Sequence, residues 1–339
     1  MRAGEFDLVG AIEAIYRVEQ STEHWLIGML ETLRPFLDDG SGLYAHTYRI
    51  DSALHLRDAT FAQLGCSEAV QSAMQPIVLN QGPAFVRDSF LSPLFVRATS
   101  TIPSWRESAA ARAARSLGVH DCWGINARNF DRSGVVIITN RSRAQPIPRN
   151  LAKVMKRTAA HLAAAARLRR RLNECATEDG DIAAVVNPNG RIEHAVGDAK
   201  TKTSLAALSR GTVARETARG KLRRDDPFGA LECWKGRVAA RWTLVDSFEK
   251  DGKRYIVARE NTQPVAADAE LSVRERQVLA SAALGRTNKE IGYELGIGHS
   301  TVRVFLARAA EKLNARTRDE LLSRFAEIVA AGPLEERKG

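Results

Sequence analysis

Between Leu271 and Leu322 the chain starts one helix after another, and each start signal falls where the previous helix is told to stop. Ser272 followed by Glu275 is a capping box, the pair that satisfies the first free N–H groups of a new helix, and Val278, Leu279 and Ala282 then share one face. Gly285 ends that segment. Thr287 and Glu290 repeat the start signal, Ile291 and Leu295 supply an apolar face, and Gly296-Ile297-Gly298 forces a tight turn. Ser300 is the expected cap of a third helix, in which Val302, Phe305, Ala309 and Leu313 fall on one buried stripe.

Two short helices joined by a glycine turn, the second with a polar and basic outer face, have the geometry that enters a major groove. Arg303, Val304, Ala307 and Arg308 lie off the apolar stripe and are the candidate base readers. Arginine grips guanine O6 and N7 with two hydrogen bonds, whereas Val304 and Ala307 suit a thymine methyl. Asn288 and Lys289, in the first turn of the preceding helix, suit a phosphate, and Ser300 joins them from the start of the third helix. The bland alternative, three helices of an ordinary bundle, does not account for caps, turn and basic face at the correct offsets together.

These residues resemble the LuxR-type, or GerE-type, DNA-binding domain of bacterial transcription regulators. The resemblance rests on Leu271, Ser272, Arg274-Glu275, Val278-Leu279, Gly285, Asn288-Lys289-Glu290-Ile291, Leu295, Ile297, Thr301-Val302-Arg303, Lys312-Leu313 and Arg316, and covers about the last fifth of the chain. It implies a four-helix domain that docks its third helix in the major groove and pairs through its fourth. The family's base-facing positions fall on Arg303, Val304 and Ala307, and its phosphate positions on Asn288, Lys289 and Thr301. Phe305 stands where the family usually has histidine and Gly298 where it has serine, while Gly292 replaces alanine at a helix cost of about 0.5 to 1 kcal/mol. A fourth helix starts at Thr317 with Glu320, and its Leu321, Leu322, Phe325, Ile328 and Val329 form a wide apolar face that either meets a two-fold mate or packs on the domain's own core.

The formal charge is +10 and the sequence pI about 9.7, which favours a polyanionic partner. That excess is not concentrated at the reading helix: from Asp268 onward there are 12 Lys and Arg against 11 Asp and Glu, so a shallow salt dependence of non-specific binding is expected. Cys66, Cys122, Cys175 and Cys233 have no metal or disulfide spacing and are read as small buried apolar residues. No leader-like or membrane-spanning stretch is present, so a cytoplasmic location and no membrane partner are expected.

Upstream, helical periodicity over Phe6–Val18 and Glu23–Leu37 precedes a strand at Gly42–Ile50 and a helix near Ser67–Met74. Asn80–Pro103 reads as a long loop or broken helix, Trp105–Leu117 as helix, and Val119–Phe130 and Gly134–Thr139 as strands. Pro148 then opens a long helix to about Cys175. This order resembles a GAF-like or PAS-like sensor over residues 1–175, an antiparallel sheet flanked by helices with a small ligand between, and Trp25, Tyr44, Tyr48, Trp105 and Trp123 are candidate liners. In the long helix Leu151, Val154, Thr158, His161, Ala165, Leu168 and Leu172 form a heptad seam, of which Leu151, Val154, Leu168 and Leu172 are expected to pair two copies. A trimmed PAS-like sheet domain is expected at 179–262: a hairpin around Asn187-Pro188-Asn189-Gly190, a basic helix at Leu205–Leu222, and strands at Ala230–Lys235, Arg237–Phe248 and Arg254–Glu260. Residues 263–270 read as a linker to the DNA reader at 271–332.

The fold class is therefore α+β sensor-like N-terminal domains, antiparallel sheets with helices, plus an all-α four-helix LuxR-type helix-turn-helix domain at the C-terminus. No phosphate-binding loop, HExxH or GxSxG occurs, and the histidines are scattered, so neither catalysis nor a cofactor or metal is expected. The grouped strands argue against a phosphoacceptor receiver, and the length against an acyl-homoserine-lactone input domain. The expected function is a sequence-specific regulator of transcription, modulated by a ligand or partner, with double-stranded DNA, a second copy and RNA polymerase as partners. The rival is an interaction protein that keeps the helix-turn-helix fold but binds another regulator, an option raised by Phe305.

Overall fold

The structure, a computed structural model, describes residues 7–92, 96–129, 131–174, 182–250, 253–261 and 271–331. The linker expected at 263–270, Cys175 and the chain beyond residue 331 lie outside them. The chain divides into two compact units, Met1–Asn173 with Ala214–Trp234, and Glu174–Val213 with Lys235–Gly339.

The first unit opens with helices α1 (Leu8–Ile15) and α2 (Thr22–Leu37), each capped by a side chain that accepts from the first turn, Asp7 from Gly10 N and Ser21 from His24 N. Strands β1 (Leu43–Ile50), β2 (Leu56–Arg57) and β3 (Phe61–Leu64) follow, then α3 (Glu68–Leu79) and α4 (Pro83–Phe90). After β4 (Val96–Ala98) come α5 (Pro103–Arg106) and α6 (Ala109–Ser116), strands β5 (Asp121–Arg128) and β6 (Ser133–Arg141), and the long α7 (Arg149–Glu174). The single helix expected over Trp105–Leu117 is thus two, because the Ser108 hydroxyl caps a new start by accepting from Ala111 N. The stretch read as a loop holds α4 and β4, whose few residues carry too little periodicity to register. The strands pair antiparallel in the order β2-β1-β6-β5-β4, with β3 also on β1. One face of this sheet, with Tyr44, Tyr48 and Val136, packs against Met74, Val86, Phe90, Trp105 and Ala111 of α3 to α6.

The heptad seam of α7 does not stand free for a mate. Leu151 and Val154 are buried by the chain itself, Leu168 is fully buried and Leu172 half-buried. A period of three and four is satisfied equally by a second copy and by the chain's own helices and sheet, and here the chain covers it. His161, in the middle of that seam, is hydrogen-bonded through Nδ1 to the Tyr16 hydroxyl at 2.9 Å.

In the second unit β7 (Ile182–Val186) and β8 (Ile192–Ala195) form the expected hairpin, turning at Gly190 with φ +83°. Helix α8 (Lys202–Arg219) begins in this unit and ends in the first, which also takes α9 (Leu222–Asp225) and α10 (Pro227–Cys233). The strand expected at Ala230–Lys235 is therefore corrected to a helix: the Asp226 carboxylate accepts from Gly229 N and Pro227 presets the first helical residue. Strands β9 (Trp242–Lys250) and β10 (Lys253–Glu260) complete a four-stranded antiparallel sheet of order β8-β7-β10-β9. The unit ends in helices α11 (Val273–Ala283), α12 (Asn288–Leu295), α13 (His299–Lys312) and α14 (Arg318–Ala331).

Candidate nucleic-acid interface

The local signals build most of this site. Ser272 accepts from Glu275 N while the Glu275 carboxylate accepts from Ser272 N at 2.7 Å, and Thr287 and Glu290 close the same box at the start of α12. Thr317 accepts from Glu320 N at 3.1 Å, but the Glu320 carboxylate takes the Arg316 N–H instead of closing a box on Thr317. The third start differs from expectation. Gly298 occupies the cap, α13 begins at His299, and no side chain caps it, so Ser300 is a first-turn residue and not the cap. Its hydroxyl is exposed, as is that of Thr301, next to the free N–H groups of the helix start.

The interior is made by Val278, Ala282, Ile291, Leu295 and Val302, with Ile297, Phe305, Leu306 and Leu322 packed against them. Two glycines hold the turn between α12 and α13. Gly296 is left-handed with φ +63°, and a Cβ on Gly292 would lie 2.9 Å from the Ile297 carbonyl. The helix cost of Gly292 is thus the condition for a close turn.

That core turns α13 so that Arg303, Val304, Ala307 and Arg308 are all exposed. Val304 is 47% exposed, an unusual state for a large aliphatic side chain on a packed helix. Arg303 and Arg308 take no ion pair among the described residues, and neither does the exposed Lys289. Asn288 is half-buried and accepts at 3.1 Å from Arg318 Nη1, while Arg318 Nη2 donates to the Arg286 carbonyl at 3.1 Å. Arg318 thereby stands beside the phosphate candidates, a placement that sequence spacing hides because the start of α14 reaches back to Arg286 and Asn288 at the entry to α12.

The buried charges of the domain are paired. Glu294 is buried between Arg286 and Arg237, the latter at 3.3 Å, so Arg286 is not available to a ligand despite its place in the sequence near the reading helix. Arg237 also donates to the Asn261 carbonyl at 3.1 Å, Ala240 N donates to Leu295 O at 2.5 Å, and Arg274 donates to the Ala239 carbonyl. Residues 237–240 thus fasten the helical domain to the four-stranded sheet, in a loop where Ala239 and Ala240 both have positive φ. Burial works against the Glu275 charge, but the Lys312 ammonium at 2.8 Å and the Ser272 cap outweigh it and hold the carboxyl below its ordinary range.

The apolar set expected on α14 separates. Leu321 and Phe325 are buried by the chain itself and are core, not dimer, residues; Leu322 packs on the same core, and Ile328 and Val329 are half-buried. A wide stripe is required simply to anchor a fourth helix on three others. Of the candidate liners in the first unit, Tyr44 and Trp105 border a cavity, Tyr48 donates to Asn126 Oδ1 at 2.6 Å in the adjoining core, and Trp25 and Trp123 lie away from it. Trp25 donates to the Ile15 carbonyl and Trp123 stacks beneath Arg141.

Residues 269–325 match the family described as "Bacterial regulatory proteins, luxR family". The C-terminal domain is therefore of the LuxR helix-turn-helix type. "Uncharacterized transcriptional regulatory protein YvfU" of Bacillus subtilis is 37% identical over 82 residues, 24% of this chain and 41% of that protein. "HTH-type transcriptional activator RamA" of Corynebacterium glutamicum is 49% identical over 53 residues, 16% of this chain and 19% of its own. "Transcriptional regulatory protein FixJ" of Azorhizobium caulinodans is 41% identical over 107 residues, 32% of this chain and 44% of that one. The chain thus spans less than half the length of the curated relatives it matches. A solved structure titled "Crystal structure of Escherichia coli SdiA in the space group P6522" covers 93% of this chain and 94% of its own at 14% identity, with a TM-score of 0.27, too low to bear on the fold. No helix among the described residues is long and apolar enough to cross a membrane.

Proposed function

We propose that the chain is a sequence-specific DNA-binding regulator of transcription, working in the cytoplasm with RNA polymerase as the machinery it addresses. The observation that carries the reading is the outer face of α13: Arg303, Val304, Ala307 and Arg308 exposed together, without a counter-charge, on a helix whose inner face is locked in the core. Arg303 and Arg308 supply guanine contacts, Val304 and Ala307 thymine contacts, and Lys289, Asn288, Ser300 and Thr301 hold phosphates. The matches to transcriptional regulators over this region support it. Phe305, half-buried against the core, leaves the exposed face of α13 to Arg303, Val304, Ala307 and Arg308.

The six-stranded unit is read as a GAF-like sensor and the four-stranded sheet as a trimmed PAS-like module that carries the reader, with a ligand or partner acting through them. The working form is a homodimer, for which Ile328 and Val329 remain as candidates on α14. Genome-wide footprinting tests the proposal. The expected result is an inverted repeat with half-sites about one helical turn apart. Protection without a shared sequence, or none at all, contradicts it.

A further inference from the structure

The six-stranded sheet and helices α3 to α6 line a partly open cavity of about 70 Å³. Its wall is largely apolar, with Met74, Val78, Phe90, Ile102, Trp105 and Ile138 among the residues that line it. Two polar side chains in the same wall are unsatisfied: the Ser89 Oγ and the Arg97 Nε are buried without a hydrogen-bond partner. They are neighbours, because Arg97 Nη1 donates to the carbonyl of Asp88, the residue before Ser89.

The remainder of the Arg97 guanidinium meets neutral acceptors only. Nη1 also reaches Ser92 Oγ at 3.3 Å and Nη2 the Thr101 carbonyl at 3.4 Å. Acids on the adjoining elements are held by hydroxyls instead. The Asp88 carboxylate accepts from Ser104 at 2.6 Å, and Asp121 from Thr99 and Ser100 at 2.7 Å each. An arginine that meets only neutral acceptors beside an unsatisfied hydroxyl carries a desolvation penalty, and an anion in the cavity removes it once rotation of the two side chains turns their donors toward it. The apolar wall requires the rest of the ligand to be hydrocarbon, which disfavours phosphate or sulfate. A dry cavity of ~150 Å³ takes up benzene, so about 70 Å³ suits a short chain better than a substituted ring.

We infer that this cavity binds a small aliphatic monocarboxylate, its carboxylate received by Arg97 and Ser89 and its chain lying against Met74, Phe90, Ile102 and Trp105. The inference rests on reading the six-stranded unit as the ligand-responsive part of the regulator. The test titrates the full chain by calorimetry with acetate, propionate, butyrate and hexanoate, and with the amide of each at matched ionic strength. At least one carboxylate should bind saturably and ~10-fold more tightly than its amide, a difference in the range of one charge-assisted hydrogen bond. Arg97→Gln should abolish the preference for the acid and Arg97→Lys should retain part of it. Should Arg97→Gln fail to fold, Ser89→Ala carries the test and should weaken the best carboxylate severalfold. Absence of binding by all four acids, equal binding of acid and amide, or a preference untouched by both variants overturns the proposal. Operator affinity measured with and without the bound acid separates the two readings: unchanged affinity removes the regulatory role while the site itself stands.

Discussion

The two units differ in the balance between two ways of holding buried charge, although the first also pairs Arg141 with Asp39 and Arg215 with Glu216, and the second holds Arg274 on the Ala239 carbonyl. In the reading domain and its fastening loop, buried acids meet cations: Glu275 meets Lys312, and Glu294 lies between Arg237 and Arg286. In the first unit Arg128 donates to the Leu91 carbonyl, Arg169 donates to the carbonyls of Val18 and Gln20 and lies 4.7 Å over the Trp25 ring, and Arg97 donates to carbonyls and a hydroxyl. No carboxylate pairs with these three arginines among the described residues. Burial lowers the affinity of Arg128 and Arg169 for their protons as a result. Paired charges fix the pose of the helical head, whereas arginines held by carbonyls keep a positive charge that no paired carboxylate among the described residues offsets.

The largest test of that contrast removes Glu294. Glu294→Ala leaves Arg237 and Arg286 buried without their acid and should cost about 3 to 5 kcal/mol in denaturant unfolding of the second unit. A loss under ~1 kcal/mol, in the range of an exposed pair, would break the contrast.

Next in size is a pH effect in the first unit. His46 is fully buried among Phe61, Phe90 and Tyr48, its Nε2 has no partner, and burial pushes its pKa down to about 4. The unfolded state therefore binds the proton first as pH falls below the ordinary histidine range. Stability is full above about pH 6.5 and declines toward pH 4, by up to roughly 3 kcal/mol. His46→Phe should flatten the melting temperature over that window; an unchanged slope would assign the effect to other groups.

Arg128→Met sharpens the comparison from the other side. It strands no acid, so it should cost only about 1 to 2 kcal/mol, the value of its hydrogen bond to Leu91 O, well short of Glu294→Ala. Ser272→Ala opens a capping box and should cost about 1 kcal/mol, while Ser300→Ala, which caps nothing, should stay within ~0.5 kcal/mol of the parent. Equal losses at Ser272 and Ser300 would contradict the observed start of α13.

The two units were also unequally legible. The caps at Ser272 and Thr287, the stop at Gly285 and the stripe of Val302 and Ala309 are local signals, and each lies where spacing places it. What spacing does not carry is the identity of the covering surface. Leu321, Phe325 and the seam of α7 read as faces for a second copy, and the chain covers them itself. Ser300 reads as the natural cap because its hydroxyl is near the start, but the turn closes earlier, at Gly298. The helix at Pro227–Cys233 had a readable signal in Asp226-Pro227, masked by the apolar residues that follow. Arg318 beside Asn288 arises from a contact between residues distant in sequence, whereas the glycine required at position 292 and the setting of Arg97 follow from local backbone turns that side-chain spacing does not encode.

The central claim is that the outward face of α13 reads bases while α12 holds phosphate. Fluorescence anisotropy of Arg303→Ala and Lys289→Ala, on a footprinted operator and on a scrambled duplex at several salt concentrations, tests it most directly. Arg303→Ala should lose about 1 to 3 kcal/mol on the operator and little on the scrambled duplex, whereas Lys289→Ala should weaken both alike and reduce the salt slope by about one. Equal losses from both changes on both duplexes would contradict the account.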